Sequence, residues 1–158
     1  MKDIIFKNLP DSSITGDEIF TGKRVVVFGL PGAFTPTCST KQVPTFDEYY
    51  NDILGHQIHE IYCVSVNDGF VMKAWFDSLN VQRVKYLADG SGEFTRRMGM
   101  LVKKDNLGFG MRSWRYAAVI DDGNIEKLMA EDGFQDDCET DPYENSSPAQ
   151  VLDYLKNA

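Results

Sequence analysis

The sequence predicts an α/β domain. Three observations carry that reading: β-branched apolar runs suited to buried strands, intervening stretches with apolar residues at helical spacing, and one strong hairpin signal. Arg24 to Leu30 (RVVVFGL) is the first apolar run, of the kind buried in a central sheet. Gly29 to Pro36 (GLPGAFTP) breaks it with two glycines and two prolines. Val43, Phe46, Tyr50 and Ile53 then recur at i, i+3, i+7 and i+10, predicting one helix with a single apolar face. His59 to Val66 reads as a second strand, closed by Asn67-Asp68-Gly69. Val71, Trp75 and Leu79 predict a second helix, Val84 to Leu87 a short strand, and Gly90 to Met100 a third helix. Residues 103–112 lack periodicity and read as a loop. Trp114 to Ile120 and Ile125 to Met129 flank Asp121-Asp122-Gly123-Asn124, the hairpin signal. Residues 131–146 are acidic and rich in turn formers, and predict a long exposed loop carrying Cys138. Ser147 as N-cap, Pro148 at N1 and Gln150 at N3 open a last helix, with Val151, Leu152 and Leu155 toward the sheet. No repeat, low-complexity tract or linker interrupts the chain, so residues 1–158 read as a single domain.

Composition narrows the function. The chain has 158 residues and a formal net charge of −8, with 24 Asp+Glu against 16 Lys+Arg. That balance argues against a nucleic-acid or other polyanion partner. No apolar run approaches the roughly 20 residues that span a bilayer, so no membrane role is expected. MKDIIFKNLPDSS has neither the apolar core nor the cleavage site of a signal peptide, and the expected location is cytoplasmic. Cys38, Cys63 and Cys138 form an odd, sparse set with no C-x-x-C pair. They are neither a disulfide framework nor a metal cluster.

The informative segment is Pro31-Gly-Ala-Phe-Thr-Pro-Thr-Cys38, which leaves a buried strand and enters a helix. With Thr35 as N-cap and Pro36 at N1, Cys38 falls in the first helical turn. Free backbone N–H donors and the helix dipole there favour thiolate. Ionising most of an ordinary thiol at pH 7 takes about 3.4 kcal/mol, and a dipole supplies about 2 at best. A charge-assisted hydrogen bond, worth roughly 1.5–3 kcal/mol, would close the gap. Arg112 and Arg115 are the candidates, and the sequence does not choose between them.

PGAFTPTC resembles the peroxiredoxin active-site motif P-x-x-x-[TS]-x-x-C. With STKQVPTF after it and VSVNDGFVMKAW at residues 64–75, the chain resembles the type II, or peroxiredoxin-5, subfamily from about residue 3 to the last helix. The resemblance implies a thioredoxin-like fold, a central mixed sheet flanked by helices. It implies a thiol peroxidase of antioxidant defence acting on hydrogen peroxide and small organic hydroperoxides, with no metal, haem or flavin. By position, Cys38 matches the peroxidatic cysteine and Thr35 the hydroxyl that bonds both thiolate and peroxide. Pro31 matches the proline that shields the site, and Arg115 the arginine that stabilises thiolate and transition state. Gly32 and Phe34 line the substrate side of the turn. Cys38 becomes a sulfenic acid that a thiol must reduce. Glutaredoxin with glutathione, or thioredoxin, is the expected reductant, and a homodimer the expected assembly. Gln42 departs from the pattern, since many subfamily members carry His there.

Two cysteines remain. Cys63, inside an apolar strand, reads as a packed thiol. Cys138 reads either as a resolving cysteine for Cys38, a role some subfamily members place at similar distance after the hairpin, or as an incidental surface thiol. Asp136, Asp137, Glu139 and Asp141 are expected to raise its pKa. A cysteine hydrolase would need a histidine base, and His56 and His59 stand together at a strand start. A dithiol oxidoreductase would need a second cysteine beside Cys38, where Ser39, Thr40 and Lys41 follow instead. A non-enzymatic redox sensor would use the same thiol without turnover. Phe70, Trp75, Phe109 and Trp114 are candidates for a dimer face, although core packing explains Trp75 as well.

Overall fold

Strand order and pleat decide where every functional side chain points. The computed structural model describes residues 1–158. Two short antiparallel strands, β1 (Ile5–Phe6) and β2 (Ile14–Thr15), lead into α1 (Gly16–Phe20). Thr15 and Glu18 close a capping box at the start of that helix. β3 (Arg24–Gly29) is the apolar run, and α2 (Val43–Glu48) and α3 (Tyr50–Leu54) follow the broken turn. β4 (Glu60–Ser65), α4 (Gly69–Ser78), β5 (Lys85–Ala88) and α5 (Glu93–Arg97) come next. Then come the short strands β6 (Leu101–Lys103) and β7 (Met111–Ser113), the hairpin β8 (Tyr116–Asp121) and β9 (Asn124–Ala130), and α6 (Pro148–Lys156).

The central sheet has five strands in the order β5-β4-β3-β8-β9. β3, β4 and β5 are parallel, while β8 and β9 are antiparallel to their neighbours. It is the expected mixed sheet with helices on both sides. Val26, Phe28, Leu30, Ile61, Cys63, Ala117 and Val119 face one core, closed by α2, α3, α4 and α6. Val25, Val27, Tyr62, Val64, Tyr116, Ala118 and Ile120 face the other, closed by the N-terminal segment, α1 and α5. This is the period-2 alternation of a sheet buried on both faces. The edge strand β5 is covered by a side chain: Asn8 donates to the Tyr86 carbonyl at 3.2 Å and accepts from Ala88 N–H at 2.9 Å.

Several sequence expectations need correction. The single helix over 43–53 is instead a π-helical turn, Cys38–Gln42, followed by α2 and α3, which Tyr49 separates at φ −90°, ψ 12°. Val43 N–H bonds the Cys38 carbonyl, one residue further back than in an α-helix. The helix expected over 90–100 is only α5, because Gly92 and Gly99 hold left-handed φ of 71° and 73° at its two ends. Residues 103–112 are not a plain loop: β6 and β7 pair around a 3-10 turn at Asp105–Leu107, and three-residue strands carry no readable period. The N-terminal strands and α1, two and five residues long, are too short to show a period in the sequence. Trp75 and Trp114 are buried and form no dimer face, while Phe109 is half-buried and Phe70 is 60% exposed. The hairpin is as expected, with Asp122 at φ 49° and Gly123 at φ 82°, the signature of a type I′ turn. Ser147 caps α6 by accepting from Gln150 N–H at 3.3 Å.

Gly29, the last residue of β3, lies against the Tyr116 ring, and a Cβ there would overlap it and meet Ser113 Oγ at 2.9 Å. Gly29→Ala should therefore destabilise the fold by about 1–3 kcal/mol, as overpacked cores do. A urea denaturation midpoint equal to wild type would show that Tyr116 gives way freely.

Candidate active site

The parallel strands β3 and β4 bring their C-terminal ends to one edge of the sheet, where the turn from Leu30 to Thr37 begins. Asn67, just past β4, fixes that turn: its Oδ1 accepts from Ala33 N–H at 3.1 Å and from the Ser65 hydroxyl at 2.5 Å. The sequence shows Asn67 only as a strand-closing residue. Nothing local marks it as support for a segment 34 residues away. Helical turns begin at Pro36, with Ser39 N–H bonding the Thr35 carbonyl at 3.0 Å. Cys38 then has no exposed surface.

β8 decides between the arginines. It pairs antiparallel with β3, Gly29 opposite Tyr116, so Arg115 lies beside the start of the turn. Alternation puts Arg115 on the same face as Ala117 and Val119, the face holding Cys38. Its Nη1 donates to Cys38 Sγ at 3.3 Å and to Gln42 Oε1. Its Nη2 reaches both oxygens of Asp141, at 2.6 and 2.7 Å, and the Tyr143 ring lies 5.7 Å from the guanidinium carbon. Arg115 is only 2% exposed. Burial works against its charge, yet the Cys38 sulfur and Asp141 outweigh that and raise its pKa above the ordinary value. The guanidinium is thus a permanent cation aimed at the thiol. Gln42, fully buried, links it to β3 by donating to the Gly29 carbonyl at 3.4 Å.

Arg112 has a different task. It donates to the Pro31 carbonyl at 3.1 Å and the Phe109 carbonyl at 3.2 Å, and stacks on the Phe109 ring at 5.1 Å. Burial lowers its pKa. A Cβ on Gly32 would sit 2.5 Å from Arg112 Nη1, so glycine is what lets Arg112 hold the turn. Pro31 and Gly32 are buried beneath it. Contrary to the sequence expectation, Thr35 is not a side-chain cap, and its hydroxyl does not bond sulfur. Its hydroxyl donates to the Gly32 carbonyl at 2.8 Å, which leaves its lone pairs to accept from an O–H group. Phe34 stands at φ 64°, a left-handed conformation that costs an aromatic residue about 1–3 kcal/mol, and is 56% exposed. It marks the rim of the turn.

The other thiols are separated from this site in different ways. Cys63 is fully buried in the same core as Cys38, and burial pushes its pKa well up. Cys138 belongs to the opposite core and is 6% exposed, not a surface thiol. Its pKa is lowered, contrary to the sequence expectation, because the Thr140 hydroxyl and backbone N–H bond the sulfur. Three of the four carboxylates expected to raise it are engaged elsewhere: Asp136 with Lys103 N–H, Asp137 with Lys103 Nζ, and Asp141 with Arg115. All three cysteines are free. His59 sits at the opposite end of the sheet, its Nδ1 3.1 Å from Arg24 N, so no histidine base faces Cys38.

Trp75 offers a readout of the thiol. Its indole N–H donates to Ser39 Oγ at 2.8 Å, and Ser39 adjoins Cys38 in the π turn. In a Trp114→Phe background, one equivalent of hydrogen peroxide should change the Trp75 emission, and Cys38→Ser should abolish that change. An emission change that persists without the Cys38 thiol would break the connection.

Known proteins share this sequence and fold. The Redoxin family description matches residues 1–145. A peroxiredoxin of Sinorhizobium fredii is 58% identical over 142 residues, covering 90% of this chain and 76% of that protein. The reduced Prx3 of Vibrio vulnificus in complex with hydrogen peroxide superposes with a TM-score of 0.86 at 33% identity, covering 99% of this chain and 92% of that one. Peroxiredoxin 5 of Alvinella pompejana gives 0.82 at 26% identity, with 100% and 95% covered. This chain therefore belongs to the peroxiredoxin family, in its type II or peroxiredoxin-5 branch, as a thiol-dependent peroxidase.

Proposed function

We propose that Cys38 reduces hydrogen peroxide and small organic hydroperoxides, and that glutathione, alone or with glutaredoxin, returns it to the thiol. The observation that carries this reading is the 3.3 Å contact from Arg115 Nη1 to a Cys38 sulfur without exposed surface. A sulfur lone pair attacks the distal peroxide oxygen, the S–O bond forms and the O–O bond breaks. Hydroxide or alkoxide departs and Cys38 becomes a sulfenic acid. Arg115 donates where charge leaves sulfur and gathers on the departing oxygen. The Thr35 hydroxyl, its proton on Gly32, accepts from the peroxide O–H and helps set the attack line. One glutathione then displaces water to give a mixed disulfide, and a second thiol releases Cys38. Thioredoxin is the alternative donor.

Cys138 supports reduction from outside. Cys38 and Cys138 lie in cores on opposite faces of the sheet, whereas a disulfide brings two Cα atoms to within about 7 Å. For a reductant to reach Cys38, the π turn must open. The free thiols fit a reducing compartment such as the cytoplasm. Phe70 and Phe34, both more than half exposed, are suited to contact with a second copy of the chain.

Cys38→Ser should end peroxide consumption in a stopped-flow assay. Arg115→Gln should slow it roughly 10- to 150-fold, the value of a charge-assisted hydrogen bond. Turnover compared with thioredoxin, glutaredoxin plus glutathione, and glutathione alone identifies the reductant. After one equivalent of peroxide, mass spectrometry should find a sulfenic acid at Cys38; a Cys38–Cys138 disulfide would overturn direct reduction. Gel filtration should show a dimer that Phe70→Glu dissociates, and an unchanged dimer would remove Phe70 from the interface.

A further inference from the structure

The segment from 131 to 146 connects β9 to α6 with no helix or strand of its own, yet it is tied down along its length. At its ends, the buried carboxylate of Glu131 accepts from the N–H groups of Glu144, Asn145 and Ser146 and from the Ser146 hydroxyl. In the middle, Asp136 accepts from Lys103 N–H at 2.8 Å and Asp137 from Asn106 N–H at 3.1 Å. Between these ties, Asp141 reaches Arg115 from 26 residues along the chain.

We propose that Asp141 is a positioning residue for peroxide reduction: it grips Nη2 of Arg115 so that Nη1 faces Cys38 Sγ, and the tied loop is the device that delivers it. This rests on the peroxidase reading above. Arginine reaches its head group through several rotatable bonds, and a guanidinium held at one corner can pivot. Here Nη1 is shared between Cys38 and Gln42, and Nε has no partner. The two Asp141 contacts are what fix the far corner. Donors must already sit where the departing oxygen gathers charge, and a misplacement of about 1 Å can cost roughly a hundredfold in rate.

A purely electrostatic role would act in the opposite direction. A carboxylate beside Arg115 draws its field away from sulfur, so removing that charge would leave the thiol at least as reactive. Asp141 is 47% exposed while Arg115 is 2% exposed. Water therefore screens the carboxylate charge more than it weakens the short contacts.

The test compares Asp141→Ala with Asp141→Asn in the full chain, with wild type alongside. The readouts are the second-order rate with hydrogen peroxide, the rate of Cys38 alkylation by iodoacetamide, and the melting temperature. Asp141→Ala should slow peroxide reduction about 10- to 100-fold, in line with a displaced donor. Alkylation should fall less, because it involves no departing oxygen. Asp141→Asn keeps an acceptor for Nη2 and should recover to within about threefold of wild type. Asp141→Ala within twofold of wild type overturns the proposal. So do two variants that are equally slow, or a rate loss that follows a lowered melting temperature without recovery in Asp141→Asn. If wild type itself consumes no peroxide, the peroxidase reading falls first; if it does and Asp141→Ala matches it, only the role of Asp141 falls.

Discussion

A guanidinium that is 2% exposed has lost nearly all its water, and the rest of this site is built to compensate. Stripping a charged group of solvent costs several kcal/mol, and a buried pair recovers that only with good geometry and most hydrogen bonds made. Arg115 meets the condition with sulfur and Gln42 at one corner and Asp141 at another. The Cys38 sulfur and Asp141 help keep the arginine charged. Cys63, in the same apolar core, has no such partner, and burial pushes its pKa well up.

The register of the sheet makes that contact possible. Gly29 opposite Tyr116 puts the start of the active-site turn beside Arg115, and the pleat sends Arg115 to the face where Cys38 lies. Shifting the β3–β8 pairing by one residue would turn the arginine into the other core. The close contact between Gly29 and the Tyr116 ring therefore helps lock the register. Around it, Asn67, Arg112 and Gly32 hold the turn through backbone groups. Cys38 thus stays in one place without any covalent constraint.

Much of this was legible in the amino-acid order because it depends on local chemistry. The β3 run, the type I′ hairpin and the Ser147 cap each arise from residues within a few positions of one another. So does the turn from Pro31 to Cys38. What failed was either very short or set from afar. Three-residue strands such as β6 and β7 show no period, and two left-handed glycines trimmed an apparent helix to α5. In the acidic loop the carboxylates look in sequence like free charges around Cys138, whereas Lys103, a backbone N–H group and Arg115 engage three of them.

Fold class and family could be read from amino-acid order alone, because strand patterning and an eight-residue turn are properties of neighbours in the chain. The resemblance already pointed to Arg115; the folded chain supplied the contact itself, with Arg115 on the sulfur and Arg112 bracing the turn. It also placed Cys138 in the opposite core and brought Asp141 to the arginine. The arginine assignment depends on strand parity, and the placements of Cys138 and Asp141 on where a long loop is tied. Both are contacts between residues tens of positions apart, which local sequence does not encode.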